Sequence, residues 1–406
     1  MANDKQNTSP NVPNKGNVPR LRFTEYTDEW KNVKIADIAT IVGGGTPDTT
    51  VSEYWDGDIQ WFTPSEIGKS KYIAKSDRTI TKEGLNNSSA KILPKGTILL
   101  STRATIGECS IADKECCTNQ GFQSIIVKNN TTNEFQYYLI QTKKKDLIRN
   151  ACGSTFLEIS ANEVRKIRCN IPNIEEQRKI ADFLSLLDKR IKTQNKIIEQ
   201  LQSLIKGFVV EHYNKTHKTK VKIKDLGRSY SVMNMSKEDL SETGNECIIY
   251  GELFTTYGCV AADIVSRTEK SIQSSTISTG YDLLFPASTT VDAQSLIAPT
   301  AISQPNIILG GDMFGIVVDK KYNNEYLSYI FNYLYKNHIA RYAQGSTIIH
   351  LHYNDIKNLD IELPDINTQN ELVLLLQNMQ DKILTEKKML SMLETQKAYL
   401  LKNLFI

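Results

Sequence analysis

A duplication limits the fold of this chain more than any other feature. Residues 153–209 and 345–401 align at a constant offset of 192 with no gap. Gly153, Ser154 and Thr155 match Gly345, Ser346 and Thr347; Asn162 matches Asn354, Pro172 matches Pro364, Gln177 matches Gln369, and Ile191 matches Ile383. The likeness continues upstream with drifting offsets. Lys128–Leu139 resembles Lys320–Ile330 at offset 191, and Val33-Lys34-Ile35 with Asp37 resembles Val221-Lys222-Ile223 with Asp225 at offset 188. Drifting offsets mark loop insertions inside a shared fold, so the chain reads as two copies of one unit. Each copy is a variable globular segment followed by a helical one.

The helical segments share one register. Ile180, Leu184, Leu187, Ile191, Gln194, Ile198, Leu201 and Ile205 step alternately by 4 and 3, which is the a/d seam of a heptad repeat. Leu372, Leu376, Met379, Ile383, Glu386, Leu390, Leu393 and Lys397 repeat it. Both copies place a polar residue, Gln194 or Glu386, at the same seam position, a device that sets register at some cost in stability. Pro172 and Pro364 end the preceding strands, and Glu175 and Glu176 complement the helix dipole in the first turn. The seams predict one helix packed against the other. About 32 residues of helix would span roughly 48 Å.

The variable segments show short apolar runs between turn residues: Ile35–Val42 before a triple glycine, Ile98-Leu99-Leu100, Ser124–Val127, Asp282–Phe285 and Gly315–Val318. These predict many short strands, with one helix in each copy, over Thr132–Asn150 and Asn323–Tyr342. The fold class expected is α+β with irregular sheet. The loops are rich in groups able to bond phosphate oxygens and base edges. In the first copy these are Thr46, Trp61, Thr63, Ser65, Lys69, Thr102, Arg103 and Thr105; in the second, Tyr250, Thr255, Thr256, Tyr257, Ser288, Thr289 and Thr290.

Bulk charge does not announce a polyanion partner. The chain stands at +3; residues 20–150 carry 18 Lys+Arg against 16 Asp+Glu, and residues 216–344 carry 12 against 13. A strongly acidic nucleic-acid mimic is disfavoured by the same balance. Seven Cys with no C-x-x-C spacing argue for reduced thiols and against a structural zinc site. No G-x-x-x-x-G-K-[ST] loop is present, and position 48, where G-x-G-x-x-G needs glycine, is Asp. His350 and His352 would alternate on a strand with no ligand spacing. Cys152 and Cys259 lack a neighbouring His in sequence, so neither has a base to make it a nucleophile. Pro364-Asp365 with Glu386-Lys387-Lys388 has the outline of a metal-dependent nuclease pattern. However, Glu386 lies on the seam, and the first copy has Asn173 and Gln194 at the matching places. Catalytic, metal-binding and cofactor-binding residues are therefore expected to number none. No apolar run is long enough to span a membrane, and residues 1–19, polar and rich in Asn and Pro, read as a disordered tail.

The chain resembles the specificity (S) subunit of type I restriction-modification systems. The likeness rests on the duplicated Gly-Ser-Thr segments, on Ile171-Pro172 leading to Glu176-Gln177-x-x-Ile180, and on seam helices ending near Lys206. It rests also on Gly44-Gly45-Thr46-Pro47 followed by Trp61, and on the opening Val18-Pro19-Arg20-Leu21-Arg22-Phe23 with Trp30. Thr368 stands where a Glu is expected before Gln369, which questions the helix cap there. The resemblance implies a tail at 1–19, a target recognition domain at 20–170, a spacer helix at 171–212, a second recognition domain at 213–362 and a second spacer helix at 363–406. The helices would pair antiparallel and set the gap, roughly 14 base pairs, between two halves of a split DNA target. Gly153–Thr155 and Gly345–Thr347 would lie at the domain–helix junctions, where backbone amides meet phosphate or a partner. Partners implied are double-stranded DNA, two methyltransferase (M) subunits and two restriction (R) subunits in the cytoplasm. S-adenosylmethionine, ATP and Mg would belong to those subunits and not to this chain. A protein-joining scaffold and a self-contained nuclease are the rival readings.

Overall fold

A computed structural model describes residues 16–153 and 157–406. Residues 1–15 of the expected tail, and Ser154 and Thr155, lie outside the described residues. The chain divides into two units: residues up to Gln194 together with Met389–Ile406, and Asn195–Lys388. Each unit thus holds one variable segment and a portion of each long helix.

In the first unit a five-stranded sheet runs in the order Ala39–Gly43, Gln123–Val127, Ile98–Leu100, Cys109–Ala112, Tyr72–Ile73. The apolar run Ile98-Leu99-Leu100 is wholly buried at its centre. A three-stranded sheet (Arg78–Ile80, Trp55–Phe62, Cys116–Thr118) lies beside it in the chain, and Lys31–Lys34 pairs antiparallel with Arg168–Ile171. The second unit repeats the five-stranded plan as Gly227–Ser231, Met313–Val318, Asp282–Pro286, Thr300–Ile302, Val260–Ala261. In both sheets the last pair alone is parallel. Thr219–Lys222 pairs with Asp360–Leu363 as the counterpart of the first unit's two-stranded element. The duplication therefore extends through the variable segments, although their sequences have drifted apart. The α+β class stands, with three corrections of detail. Ile35–Val42 is not one strand: Ile35–Ile38 forms a helical turn, Asp37 accepting the Lys34 N–H at 2.7 Å, and the strand begins at Ala39. The helix expected over Thr132–Asn150 breaks into Asn133–Thr142 and Lys144–Arg149. That expected over Asn323–Tyr342 breaks into Asn324–Tyr333 and Lys336–Ala340.

The two long helices run Ile174–Lys215 and Ile366–Leu404. Their starts are capped in the same way. Asn173 Oδ1 accepts the Glu176 N–H at 2.9 Å, and Asp365 Oδ1 accepts the Asn367 and Thr368 N–H groups at 3.0 and 3.2 Å. Side-chain oxygens there satisfy amides that no helical carbonyl reaches. Thr368 does not spoil the cap, since its hydroxyl donates to Asp365 Oδ2 at 2.8 Å. Asp365 is thereby spent on capping, and Glu386 pairs with Lys382 on its own helix at 2.5 Å. About 21 residues of helix, roughly 30 Å, separate the two carboxylates, so the nuclease outline is not assembled.

Within each unit the helices meet along the predicted seam. In the first, Ile180, Leu184 and Leu187 share one core with Leu393, Leu400, Leu404 and Phe405. There the seam residue Lys397 forms an ion pair with Asp188 at 2.7 Å. In the second, Ile205, Val209, Leu372, Leu376 and Ile383 are buried, and Glu371 faces His212. The start of the first helix thus packs with the end of the second, residue 188 meeting residue 397, so the helices run antiparallel.

A buried glutamine fastens each helix start to its own unit. Gln177 is fully buried; its amide donates to the Asn130 and Pro172 carbonyls at 3.1 and 3.0 Å and accepts from the Thr131 hydroxyl and the Thr132 N–H. Gln369, also fully buried, donates to the Pro364 carbonyl at 2.8 Å and accepts the Asn323 N–H at 2.9 Å. In the first copy alone, Glu176 is buried beneath the N-terminal segment. Arg22 grips it through two bonds of 2.8 Å and the Trp30 indole N–H adds a third. Replacing Gln177→Leu, of similar volume, strands buried backbone groups. It is expected to cost about 3 kcal/mol, read as a lower urea midpoint with unchanged slope; a loss below about 0.5 kcal/mol would show that the amide is not a fastening.

Candidate nucleic-acid interface

The polar loops of the first unit are drawn together by backbone bonds. The Gly45 N–H donates to the Thr118 carbonyl at 2.8 Å, and Thr46 bonds Gln120 through its hydroxyl. Thr102 donates its N–H and its hydroxyl to the Gly121 carbonyl at 2.9 and 3.0 Å. The Ile159 N–H donates back to the Thr102 carbonyl at 3.2 Å, and Arg103 pairs with Glu158 at 2.9 Å. The glycine loop, the loop following Ile98–Leu100 and the flank of Gly153 thus form one cluster. At its tip Ala104 takes a left-handed φ of +45°, a conformation costly for a residue with a Cβ. Thr105, Lys69 and Ser65 are exposed; Thr63 is half-buried and spends its hydroxyl on Glu66 at 2.7 Å.

The second unit builds the corresponding cluster. Ser288–Thr289 pairs antiparallel with Ile349–His350, and the Leu351 N–H donates to the Ala287 carbonyl at 2.9 Å, as Ile159 does to Thr102. Thr290 is exposed beside the turn of Gly345, Ser346 and Thr347, where Gln344 and His350 exchange backbone bonds of 2.8 and 2.7 Å. Gly345 adopts φ +119°, and a Cβ there would meet the Ile348 carbonyl oxygen at 2.0 Å, so glycine is required for the turn. Tyr250, Thr255 and Thr256 are exposed around a π-helical turn, Leu253–Tyr257. Tyr257 is half-buried, its hydroxyl accepting the Val265 N–H at 3.3 Å.

Four expectations need correction. Trp61 is 4% exposed; its indole N–H donates to the Gly45 carbonyl at 2.8 Å and its ring meets Trp55 edge-on at 5.1 Å. It props the glycine loop from behind and has no face left for a base. Thr102 is likewise fully buried. The described Gly153, and Gly345–Thr347, do not sit at the helix starts. Gly345 precedes Ile366 by 21 residues, and the turn it makes belongs to the loop cluster. His352 does not share a strand with His350: it opens the helical turn Tyr353–Ile356, its N–H donating to Asp355 at 2.8 Å.

Arg78 was not singled out from the sequence. Its guanidinium stacks 3.5 Å above the Trp55 ring while remaining exposed, a rigid cation of the sort that meets phosphate or a base edge. Only the spacing of Trp55 and Arg78 across paired strands brings them together. Among the described residues no group of three or more His, Cys, Asp or Glu could hold a metal ion, and no helix is long and apolar enough to cross a membrane.

The thiols are placed against reactivity. Burial pushes Cys109 and Cys116 up to about 12, and Cys117, Cys169, Cys247 and Cys259 up to about 11. A thiol held above its ordinary value carries little nucleophilic thiolate near pH 8. Cys152 alone is exposed. Iodoacetamide at pH 8 is therefore expected to modify one thiol per folded chain, Cys152, by peptide mass mapping; rapid labelling of Cys117 or Cys259 would contradict this burial. A second contrast separates support from contact. Trp61→Ala should lose about 3–5 kcal/mol of stability. Arg78→Ala should leave the unfolding midpoint almost unchanged yet weaken duplex binding and lower the salt slope by about one. Equal stability losses for both would refute the distinction.

The model for the type I restriction modification DNA specificity domain matches residues 27–203 and again residues 216–395. The chain is 40% identical over 194 residues to the type I restriction enzyme MjaIX specificity subunit of Methanocaldococcus jannaschii, a stretch covering 45% of this chain and 44% of that one. It is 29% identical over 175 residues to the EcoR124I/EcoR124II specificity subunit of Escherichia coli, covering 41% and 43%. The chain thus spans less than half the length of these two relatives. In fold it is similar to the S subunit of a type I restriction-modification system from M. genitalium, with TM-score 0.56, 16% identity, and 96% of this chain and 99% of that one covered. A second likeness, TM-score 0.54 at 14% identity over 92% and 96%, is to a chain from a structural study of complex assembly and conformational transition of the type I R-M system. With both copies of its unit matched by one family model, the chain belongs to the type I restriction-modification DNA specificity family.

Proposed function

We propose that this chain is the DNA-reading subunit of a type I restriction-modification assembly. Each unit reads one half of a two-part target, and the paired helices set the gap between the halves. The observation that carries this reading is the repetition, in both units, of one sheet order supporting one cluster of polar loops. A single site would need one such cluster; a split site needs two. The unlike residues in the loops, Arg103 and Ala104 in one and Ser288 and Thr289 in the other, suit two unlike half-sites, because groove-edge donors and acceptors decide which base is accepted.

The chemistry is assigned to partners. Two methyltransferase subunits would bind this chain, carry S-adenosylmethionine and draw the target adenine out of the stack. Two restriction subunits would add ATP- and Mg-dependent movement and cleavage. This chain would contribute no reacting group, in keeping with its capped Asp365 and buried thiols. Its balanced charge fits a channel whose positive walls are completed by other subunits. The compartment follows from the substrate: the cytoplasm, where DNA lies.

The test is duplex binding by this chain with its methyltransferase subunits, on targets whose two halves are separated by varied spacers. Binding should peak sharply at one spacer. Adding one heptad at matching levels of both helices keeps the seam and lengthens it by about 10 Å, which should move the optimum by roughly 3 base pairs. Binding indifferent to sequence and spacer would favour a protein-joining scaffold. An unmoved optimum would remove the helices from the role of spacer.

A further inference from the structure

At one position the first copy holds an ammonium group and the second a buried thiol, with a cavity close to it. In the first unit, Lys71 reaches from the edge of the five-stranded sheet towards the long helix. Its Nζ donates to Ser185 Oγ at 2.6 Å and Tyr138 Oη at 3.2 Å, and lies 4.5 Å from the Tyr138 ring centre and 5.4 Å from that of Tyr72. Tyr138 in turn donates to Asp188 at 2.6 Å. Tyrosine faces, a hydroxyl and a nearby carboxylate together are a cage for a primary ammonium.

Sheet register identifies the counterpart in the second unit. Lys71 accepts the Ile111 N–H at its carbonyl, and Cys259 accepts the Ala301 N–H at the matching place. The strands that follow, Tyr72–Ile73 and Val260–Ala261, are parallel to their neighbours in the same register. Tyr138 and Tyr329 both stand six residues after a helix cap, Thr132 or Asn323. Asp188 and Ser185 correspond to Gln380 and Gln377 at the offset of 192; Gln380 donates its amide N–H to Tyr329 Oη at 3.3 Å, whereas Asp188 accepts from Tyr138. Of the cage only the tyrosine is kept: Val260, Gln377 and Gln380 stand where the first copy has Tyr72, Ser185 and Asp188, and Cys259 cannot supply an ammonium. Beside Tyr329 lies a cavity of about 600 Å³, lined also by Glu325, Gln377, Gln380, Asp263 and Asp381, with Lys387 the one cation among the described residues of its wall; Cys259 is buried behind it and does not line it. Glu325 is 8% exposed. It accepts from Ser303 at 3.0 Å and Gln377 at 3.2 Å, both neutral, and no ion pair involving it occurs among the described residues. A carboxylate buried with neutral donors only is costly until a cation joins it.

We propose that this cavity binds a primary alkylammonium group supplied from outside the chain, beside Tyr329 as Lys71 lies beside Tyr138 in the first copy. Two sources share that chemistry: a lysine side chain of a partner polypeptide and a free aliphatic diamine. The proposal does not depend on the DNA-reading role.

The full chain is titrated calorimetrically with Nα-acetyl-lysine-N-methylamide and, separately, with 1,5-diaminopentane. Saturable one-to-one binding of at least one is expected, the tighter ligand identifying the source. Glu325→Gln should weaken it about tenfold, the scale of one charge-assisted bond. Asp263→Lys at the exposed rim should abolish it by supplying an internal ammonium without touching the core. Failure of both ligands to saturate the folded chain, or equal binding by Glu325→Gln, would overturn the proposal.

Discussion

The architecture depends on a buried amide. Gln177 and Gln369 each sit one turn into a long helix, out of contact with water, and satisfy backbone groups of the chain that enters the adjacent short helix. Such groups have nowhere else to turn once buried, so the amide ties the direction of the helix to the sheet beside it. The tie appears twice with the same donors and acceptors at Pro172 and Pro364. Whatever a unit's loops recognise, its stretch of helix leaves at a set angle from that unit's core, and the apolar seam then carries that direction along the helix.

Around this shared frame the copies have diverged where the frame allows it. Glu176 exists to meet Arg22 and Trp30 from the N-terminal segment. The second copy carries Thr368 at that position, and there the residue serves the Asp365 cap instead. Lys71 and Cys259 occupy corresponding places on the two five-stranded sheets: one sends an ammonium to Ser185 and Tyr138, the other is a buried thiol with a cavity beside the matching Tyr329. The loops diverge most, from Arg103 to Ser288 at one position, while the bonds that position them, from Ile159 to Thr102 and from Leu351 to Ala287, are retained. A scaffold shared in its backbone contacts and free in its exposed side chains suits the proposed reading of two different sequences.

The helical half of each copy was legible because its signals are local: a gapless offset, a 4-3 step and a proline before each start. The sheets were not. Their strands are two to eight residues long, one pair in each five-stranded sheet is parallel, and the order places Tyr72–Ile73 beside a strand almost forty residues later in the chain. No period in such segments reports their partners. Trp61 misled because an aromatic residue amid Thr and Ser looks exposed until the strand Trp55–Phe62 turns it inward. The Lys71 cage draws on residues 67 and 114 positions away, and the Arg78–Trp55 stack depends on strand pairing. The candidate loops were found as a composition, and which of them are props and which are free surface became visible only with the fold.

In the function proposed, two like units read two unlike half-sites and the paired helices set the gap. Methylated adenines mapped across a genome expressing this chain with the methyltransferase subunits proposed for it test that reading most directly. The account predicts one asymmetric motif of two short specified blocks, separated by an unspecified gap of constant length, with an adenine modified in each block. A continuous motif, or blocks at variable distances, would contradict it.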